Sequence, residues 1–260
     1  MPYDDLTLVS RSHAGDRAAL ELLTQRYLRG LYTVALRMLG DPHAARTATH
    51  CALVGAHRQL ARGQHDDGFF QVAHRLAIRH CLDILGAHEL SRPTPPVAAS
   101  EAATFADLTF DRRRERVQEA ILQLSPDRRA ALVLRHVAGL SYWEIAILAD
   151  ASRQDARTRL HAARQQIGEQ LMAWPSPGDL SAADDALLQD AIDGELAYYA
   201  RETRDRLLGE HPAAFARAGA LRELGHLLNS LGPEEAPADV VASVLAEILG
   251  QGAGATPSSR

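Results

Sequence analysis

The chain has 260 residues, a formal net charge of −5, 46% hydrophobic residues and 23% charged residues. This composition is typical of a globular protein, and the length allows two or three small domains. No apolar run approaches the roughly 18 residues of a membrane-spanning helix. The N-terminus carries acids where a signal peptide needs a basic region. We therefore expect a cytoplasmic protein with no membrane contact.

Residues 1–88 are predicted to form a first helical domain. One apolar stripe recurs there at steps of three and four, which is the spacing of a helix face; it comprises Leu20, Leu23, Tyr27, Leu31, Val34 and Met38. Gly40 and Pro42 then end that helix and begin another. Residues 89–112 contain three prolines and many small side chains, so they read as a linker.

Residues 113–174 are predicted to form a helix-turn-helix domain. Ser125 followed by Pro126 begins one helix. Ser141 with Glu144, three residues later, is typical of a capping box at the start of the next. Ser152 is predicted to cap the last helix, and Asp155 lies where a carboxylate can accept from the cap backbone. On that helix one stripe should be buried and a neighbouring basic stripe should face outward, as in DNA-binding helix pairs. The buried stripe is Ala156, Leu160, Ala163, Ile167 and Leu171.

The last third of the chain is acidic, with 6 arginines and 14 acids in residues 176–260. Such a charge excess repels nucleic acid, so this part should serve another purpose. Residues 180–249 read as an acidic helical domain, and residues 250–260 as a disordered tail. With no lasting period-2 pattern anywhere, the fold class is all-α: two small helical domains plus a C-terminal helical domain.

The succession LSPDRRAALVLRHVAGLSYWEIAILADASRQDARTRLHAARQQI, from Leu124 to Ile167, resembles region 4 of the extracytoplasmic-function (ECF) RNA polymerase sigma factors. The resemblance implies that this segment reads the −35 promoter element and contacts the polymerase flap. Arginine is a frequent partner of phosphate and guanine. The DNA-binding residues would then be Ser152, Arg153, Gln154, Arg157, Thr158, His161 and Arg164. Arg164 is expected at the DNA backbone. The alternative is that the arginines form only a solvated surface.

Upstream, ALELLTQRYLRGLYTVALRMLGDPHAA is similar to region 2 of the same family, which implies docking on core polymerase and opening of the −10 element. The candidate docking residues are Asp41, Arg46, Thr47, His50, Cys51, Leu53 and His57. Arg46 and Thr47 stand where the family usually has acids. We therefore keep two functions open: a sigma factor for promoter-directed initiation, or a sigma-like DNA- or protein-binding regulator that no longer docks or opens promoters.

The last third resembles a small anti-sigma domain that follows a D-G-E-L opening, here Asp193 to Leu196. Its zinc-bearing form has H-x-x-x-C-x-x-C where this chain has Leu207, His211 and Ala214, so we predict a zinc-free version. The alternative is an unrelated acidic helical hairpin. A tethered acidic domain could fold back on the basic helix and restrain it.

An enzyme is not expected, because the chain has no nucleophile motif and no phosphate loop. His43, His50 and His57 recur at seven-residue steps, but residues spread over about four helical turns cannot share one ion. We therefore predict no cofactor and no metal. The partners implied by the resemblance are core RNA polymerase and promoter DNA, with a possible intramolecular contact from the C-terminal domain.

Overall fold

The computed structural model describes residues 4–61, 68–89, 105, 108–172, 174–175 and 180–252. Twelve α-helices and no strand lie in these ranges, so the predicted all-α class is confirmed. The helices fall into two compact units, one of residues 1–91 with 233–260 and one of residues 92–232. Throughout the described ranges, no helix is both long and apolar enough to cross a membrane.

The first unit contains five helices: α1 (Asp5–His13), α2 (Arg17–Leu39), α3 (Pro42–Ala61), α4 (Phe69–Glu89) and α12 (Asp239–Gly252). Asp16 caps α2 by accepting from the Ala19 backbone N–H at 3.1 Å. Gly40, at φ 70°, closes α2 in the left-handed conformation that glycine adopts without strain. Pro42 then starts α3, as the sequence predicts.

The core of this unit lies among α2, α3, α4 and α12. The predicted α2 stripe is buried except for the partly exposed Tyr27. Leu23 and Leu31 pack in one apolar cluster with Leu53 and Phe69. Burial of this apolar surface is the main favourable contribution to folding. The stripe therefore fixes which face of α2 meets the other helices.

The second unit contains seven helices: α5 (Phe110–Leu122), α6 (Pro126–His136), α7 (Tyr142–Leu148), α8 (Arg153–Leu171), α9 (Ala182–Ile192), α10 (Arg201–Glu210) and α11 (Pro212–Asn229). A short 3₁₀ turn, Tyr198–Ala200, precedes α10. Leu188, Leu207, Ala218 and Leu221 form an apolar cluster that joins α9, α10 and α11. Helix α11 also contacts α5, α6 and α8, so it joins this cluster to the helix-turn-helix domain.

The predicted segment boundaries differ from this arrangement in three places. Helix α5 begins at Phe110, so it includes the end of the predicted linker 89–112; residues 90–104 and 106–107 of that linker lie outside the described residues. Helix α12 reaches Gly252, into the predicted tail 250–260, whose residues 253–260 also lie outside. The predicted domain 180–249 is divided, because α12 buries its apolar face in the first unit while α9–α11 belong to the second.

Candidate nucleic-acid interface

Helices α7 and α8 form the helix-turn-helix, joined by a turn in which Asp150 has a φ of 48°. Aspartate tolerates this left-handed conformation better than most residues. Both predicted capping boxes are present, at Ser141 with Glu144 and at Ser152 with Asp155. The Ser152 hydroxyl and backbone N–H both donate to the Asp155 carboxylate, at 2.7 and 3.2 Å, and lower its pKa. Asp155 therefore belongs to the helix start.

The predicted buried stripe of α8 is confirmed, because Ala156, Leu160, Ala163, Ile167 and Leu171 all lie in the core. The predicted basic stripe beside it faces an acidic segment, residues 190–195, at the end of α9. Arg157 makes two parallel bonds to the Asp190 carboxylate, from Nε at 2.9 Å and from Nη2 at 2.7 Å. Arg153 Nη2 donates to Glu195 Oε2 at 3.1 Å. The acids therefore lie where the phosphates of a nucleic acid would meet these arginines.

The structure corrects the prediction for Arg164, which is 2% exposed and does not face solvent. Its guanidinium bonds both oxygens of Asp193, from Nη1 at 2.8 Å and from Nη2 at 2.6 Å. Each side chain of this pair is 3% exposed. A buried charge needs a partner of opposite sign, and Asp193 supplies it. Arg164 thus stabilises the packing of the second unit and does not form part of its surface.

Asp193 is the centre of a buried polar network. Tyr142 donates from its hydroxyl to Asp193 at 2.5 Å, and Arg135 donates from Nε at 3.2 Å. Burial raises the pKa of Asp193, but the bonds and charge of Arg164 outweigh burial, so the pKa lies below its usual value. Burial lowers the pKa of His136 to about 3, with a further contribution from Arg164. His136 is therefore neutral and accepts from Arg164 at 2.9 Å.

The other predicted DNA-binding residues lie at or beside the start of α8, except for His161, which lies in its third turn. Ser152, Gln154 and Thr158 are exposed. His161 is partly buried, with its Nε2 3.2 Å from the Tyr142 hydroxyl and 3.6 Å from Asp190. The exposed part of the face is consequently limited to the first two turns of the helix.

Asp193 and Glu195 belong to the predicted D-G-E-L motif, which does not indicate the arginines that they pair with. Gly194, at φ 70°, reverses the chain after α9 and turns Glu195 back toward α7. There the Glu195 carboxylate accepts from the Tyr142 backbone N–H at 3.0 Å. The predicted contact between the acidic third and the basic helix is present within this unit. A signal for it lay in the short run of acids at 190, 193 and 195.

The positions compared with zinc ligands are apolar or isolated. Leu207 and Ala214 belong to the apolar cluster of α9–α11, and His211 lies between α10 and α11. No group of three or more potential ligands occurs among the described residues. A closed structural zinc site needs four ligands, so these residues do not fit one.

The candidate docking residues lie on or beside α3 in the other unit. Asp41 accepts from the Ala44 backbone N–H at 2.6 Å and is exposed, as is Thr47. Cys51 is partly buried, and burial raises its pKa, with a smaller contribution from Glu247. Arg46 pairs with Asp239 of α12, and His50 lies 3.5 Å from Glu247 of the same helix. These side chains form one face, which α12 partly covers.

Leu53 and His57 are not part of that surface, which corrects the prediction. Leu53 is 0% exposed and His57 is 4% exposed. The His57 ring packs on Phe69 with 4.8 Å between centroids, and within the described part of the chain its Nε2 has no hydrogen-bond partner. These two residues fill the core of the first unit.

Buried His57 should make the stability of the first unit sensitive to acid. Burial lowers its pKa to about 4, with a further contribution from His13, whereas the unfolded chain has a value near 6.5. The neutral ring contributes its full stability above about pH 6.5. That stability should fall by about 1.4 kcal/mol per pH unit as the pH drops toward 4. Urea unfolding between pH 7 and 5, with hydrogen exchange of α3 as the local measurement, tests this.

His57→Leu should remove the His57 contribution to this acid sensitivity, because the apolar replacement does not titrate, and should leave the contribution of buried His74, whose pKa burial also lowers. The matched control is His43→Leu, an exposed histidine on the same helix, which should leave the pH dependence unchanged. Equal slopes for wild type and His57→Leu would mean that another group controls it.

Comparison with known proteins finds a matching family model and relatives that are named as RNA polymerase sigma factors. The family model described as sigma-70, region 4 matches residues 114–167. The RNA polymerase sigma-H factor of Pseudomonas aeruginosa is 29% identical over 180 residues, covering 64% of this chain and 93% of that protein. The ECF RNA polymerase sigma-E factor of Escherichia coli K12 is 28% identical over 176 residues, covering 63% and 92%. Both matches leave more than a third of this chain uncovered.

Proposed function

We propose that the chain is an RNA polymerase sigma factor of the ECF family and that it directs RNA polymerase to specific promoters for transcription initiation. The observation that carries the proposal is the region 4 match, which falls on a capped helix-turn-helix with arginines on its second helix. Such a helix positions itself through phosphate contacts and reads sequence through base edges in the major groove. The protein would act in the cytoplasm, where the polymerase is, by binding and not by catalysis.

Four residues at the start of α8 are proposed to contact promoter DNA: Arg153, Gln154, Arg157 and Thr158. Gln154 and Thr158 are exposed, and the Arg153 side chain is 53% exposed even with Glu195 beside it. Arg157 is more enclosed, at 27%. The N-terminal turns of a recognition helix are the part that reaches bases. The exposed polar side chains of α8 are concentrated in those turns, which supports DNA contact there.

The acidic segment is proposed to restrain DNA binding. Asp190 and Glu195 occupy the guanidinium groups of Arg157 and Arg153, and one arginine cannot bond a carboxylate and a phosphate with the same N–H groups. Because the segment is tethered to the same chain, its effective concentration is in the millimolar range. Promoter DNA would therefore bind to the fraction of molecules in which the segment has moved away.

Binding to purified core polymerase, followed by transcription from a promoter library, tests the function. The full chain and a chain ending at Trp174 should both bind core and direct initiation at a common sequence. The shorter chain should be the more active, since it lacks both the acidic segment and α12, which partly covers the candidate docking face. Circular dichroism checks that the shorter chain is helical. Failure of both chains to bind core would overturn the proposal and leave the regulator that has lost polymerase docking.

A further inference from the structure

Within the first unit, α12 packs on α2 and α3, although about 200 residues separate it from α2 in the sequence. Val240 and Val244 are both 0% exposed and lie in the same apolar cluster as Leu23 and Ala52. Before the helix begins, the Glu234 backbone N–H donates to Thr33 Oγ1 at 2.9 Å. The apolar stripe of α12 thus belongs to the same core as residues of α2, α3 and α4, which lie in the first third of the chain.

A ring of opposite charges surrounds this apolar contact. Arg37 pairs with Glu234, Arg46 pairs with Asp239, and Arg58 Nη2 lies 2.5 Å from Glu247 Oε1. Three of the four acids in residues 233–252 therefore face arginines of α2 and α3. The remaining acid, Glu235, is exposed. The pairing is specific to the face that α12 covers.

We propose that α12 and core polymerase bind the same face of the first unit, so that α12 must leave before core docks. The inference rests on the proposed sigma-factor function. Arg46 and His50 belong to the docking residues implied by the family resemblance, and both face acids of α12. Arg46 stands where the family usually has an acid, and here its charge matches α12. The chain therefore combines a basic residue on α3, where the family usually has an acid, with acids on α12 that pair with that face.

The contact is built to be exchangeable. The side chains of Arg46, Asp239 and Arg58 are 38%, 59% and 42% exposed, and ion pairs this exposed contribute little to stability. The apolar stripe of α12 consists of the aliphatic residues Val240, Val244, Leu245 and Ile248. Their burial holds the helix in place, while the ion pairs fix its register. A larger interface can displace such a helix without unfolding the helices beneath it.

Hydrogen exchange on the full chain, with and without excess core polymerase, tests the exchange directly. Core binding should abolish the protection of the α12 amides, residues 239–252, and leave α2 and α4 protected. If core binds while α12 keeps its protection, the inference is wrong and the proposed function stands.

Charge reversal in α12 gives an independent test that leaves α3 untouched. Asp239→Arg with Glu247→Arg places arginines opposite Arg46 and Arg58, so α12 should lose protection. The affinity for core should rise about tenfold, because the competent fraction increases. The matched control is Glu235→Arg, a reversal at the exposed acid of the same segment, which should change neither measurement.

The outcomes separate the two proposals. Tighter binding by the reversed variant alone supports the inference, and adding a peptide of residues 233–252 should then weaken that binding again. Release of α12 with unchanged affinity for core overturns the inference alone. If α12 stays protected in the reversed variant, a second variant, Val244→Asp, is used to release the helix by placing a charge in the apolar contact. Its affinity for core should also rise about tenfold. No binding by wild type or by a released variant overturns the sigma-factor function itself.

Discussion

Replacing Asp193 with alanine should destabilise the second unit by about 3–5 kcal/mol, because it leaves buried Arg164 without its carboxylate. The pair is 3% exposed on both sides, so the guanidinium loses its only opposite charge at a position that bulk solvent does not reach. Asp193 also accepts from Tyr142 and Arg135, and those donors lose their acceptor in the same step. Urea unfolding followed by tryptophan fluorescence measures this, since both tryptophans, Trp143 and Trp174, lie in this unit.

The matched control for this loss is Asp205→Ala, which removes the same charge from the same unit. The Asp205 side chain is 65% exposed and pairs with its neighbour Arg204, so the change should cost little. Adding Arg164→Met to Asp193→Ala should recover part of the stability, because the unpaired buried charge is gone. A loss for Asp193→Ala as small as that of the control would show that the network is solvated in solution.

The pH dependence of this contribution follows from the lowered pKa of Asp193. A carboxyl group whose folded pKa is depressed contributes stability above its unfolded value, near 3.9, and loses it as the pH falls through the folded value. The Asp193 contribution should therefore be constant between pH 6 and 8. Any acid sensitivity of this unit between pH 6.5 and 4 is instead expected from His136, whose pKa is lowered to about 3.

The features that the sequence predicted correctly are local. The capping boxes at Ser141 and Ser152 each depend on a residue three positions later, and the buried stripe of α8 depends on helical periodicity alone. Both signals are contained within one or two turns of chain. For this reason the helix-turn-helix could be placed without knowledge of what packs against it.

The features that the sequence did not reveal depend on distant partners. From local sequence, Arg164 is predicted to be a surface residue of the basic stripe. In the structure it is paired with Asp193, 29 residues later. Periodicity likewise gives α12 an apolar stripe without naming the surface that the stripe covers. Leu53 and His57 were expected on the docking surface because of the family resemblance, yet both are buried in the core of the first unit. Packing between elements far apart in sequence decides each of these cases.

Neutralising the acids beside the recognition helix, with Asp190→Asn and Glu195→Gln together, should tighten promoter binding about tenfold at low salt. Both changes weaken bonds to Arg157 and Arg153, and charged hydrogen bonds are worth about 1.5–3 kcal/mol each, so a tenfold gain needs only part of one. Asp193 is kept, because the fold of the unit depends on it. Fluorescence anisotropy with a duplex selected from a promoter library measures the affinity.

Two comparisons show whether the gain comes from freed arginines. Glu202→Gln with Glu210→Gln removes the same charge from exposed positions of α10, so any gain there measures general charge repulsion alone. Arg157→Ala should then weaken binding more in the neutralised variant than in the wild type, because Arg157 reaches DNA only after Asp190 releases it. Its loss there should be about 1–3 kcal/mol if the side chain contacts a base. Equal affinities for the neutralised and control variants would mean that the acidic segment does not compete with DNA.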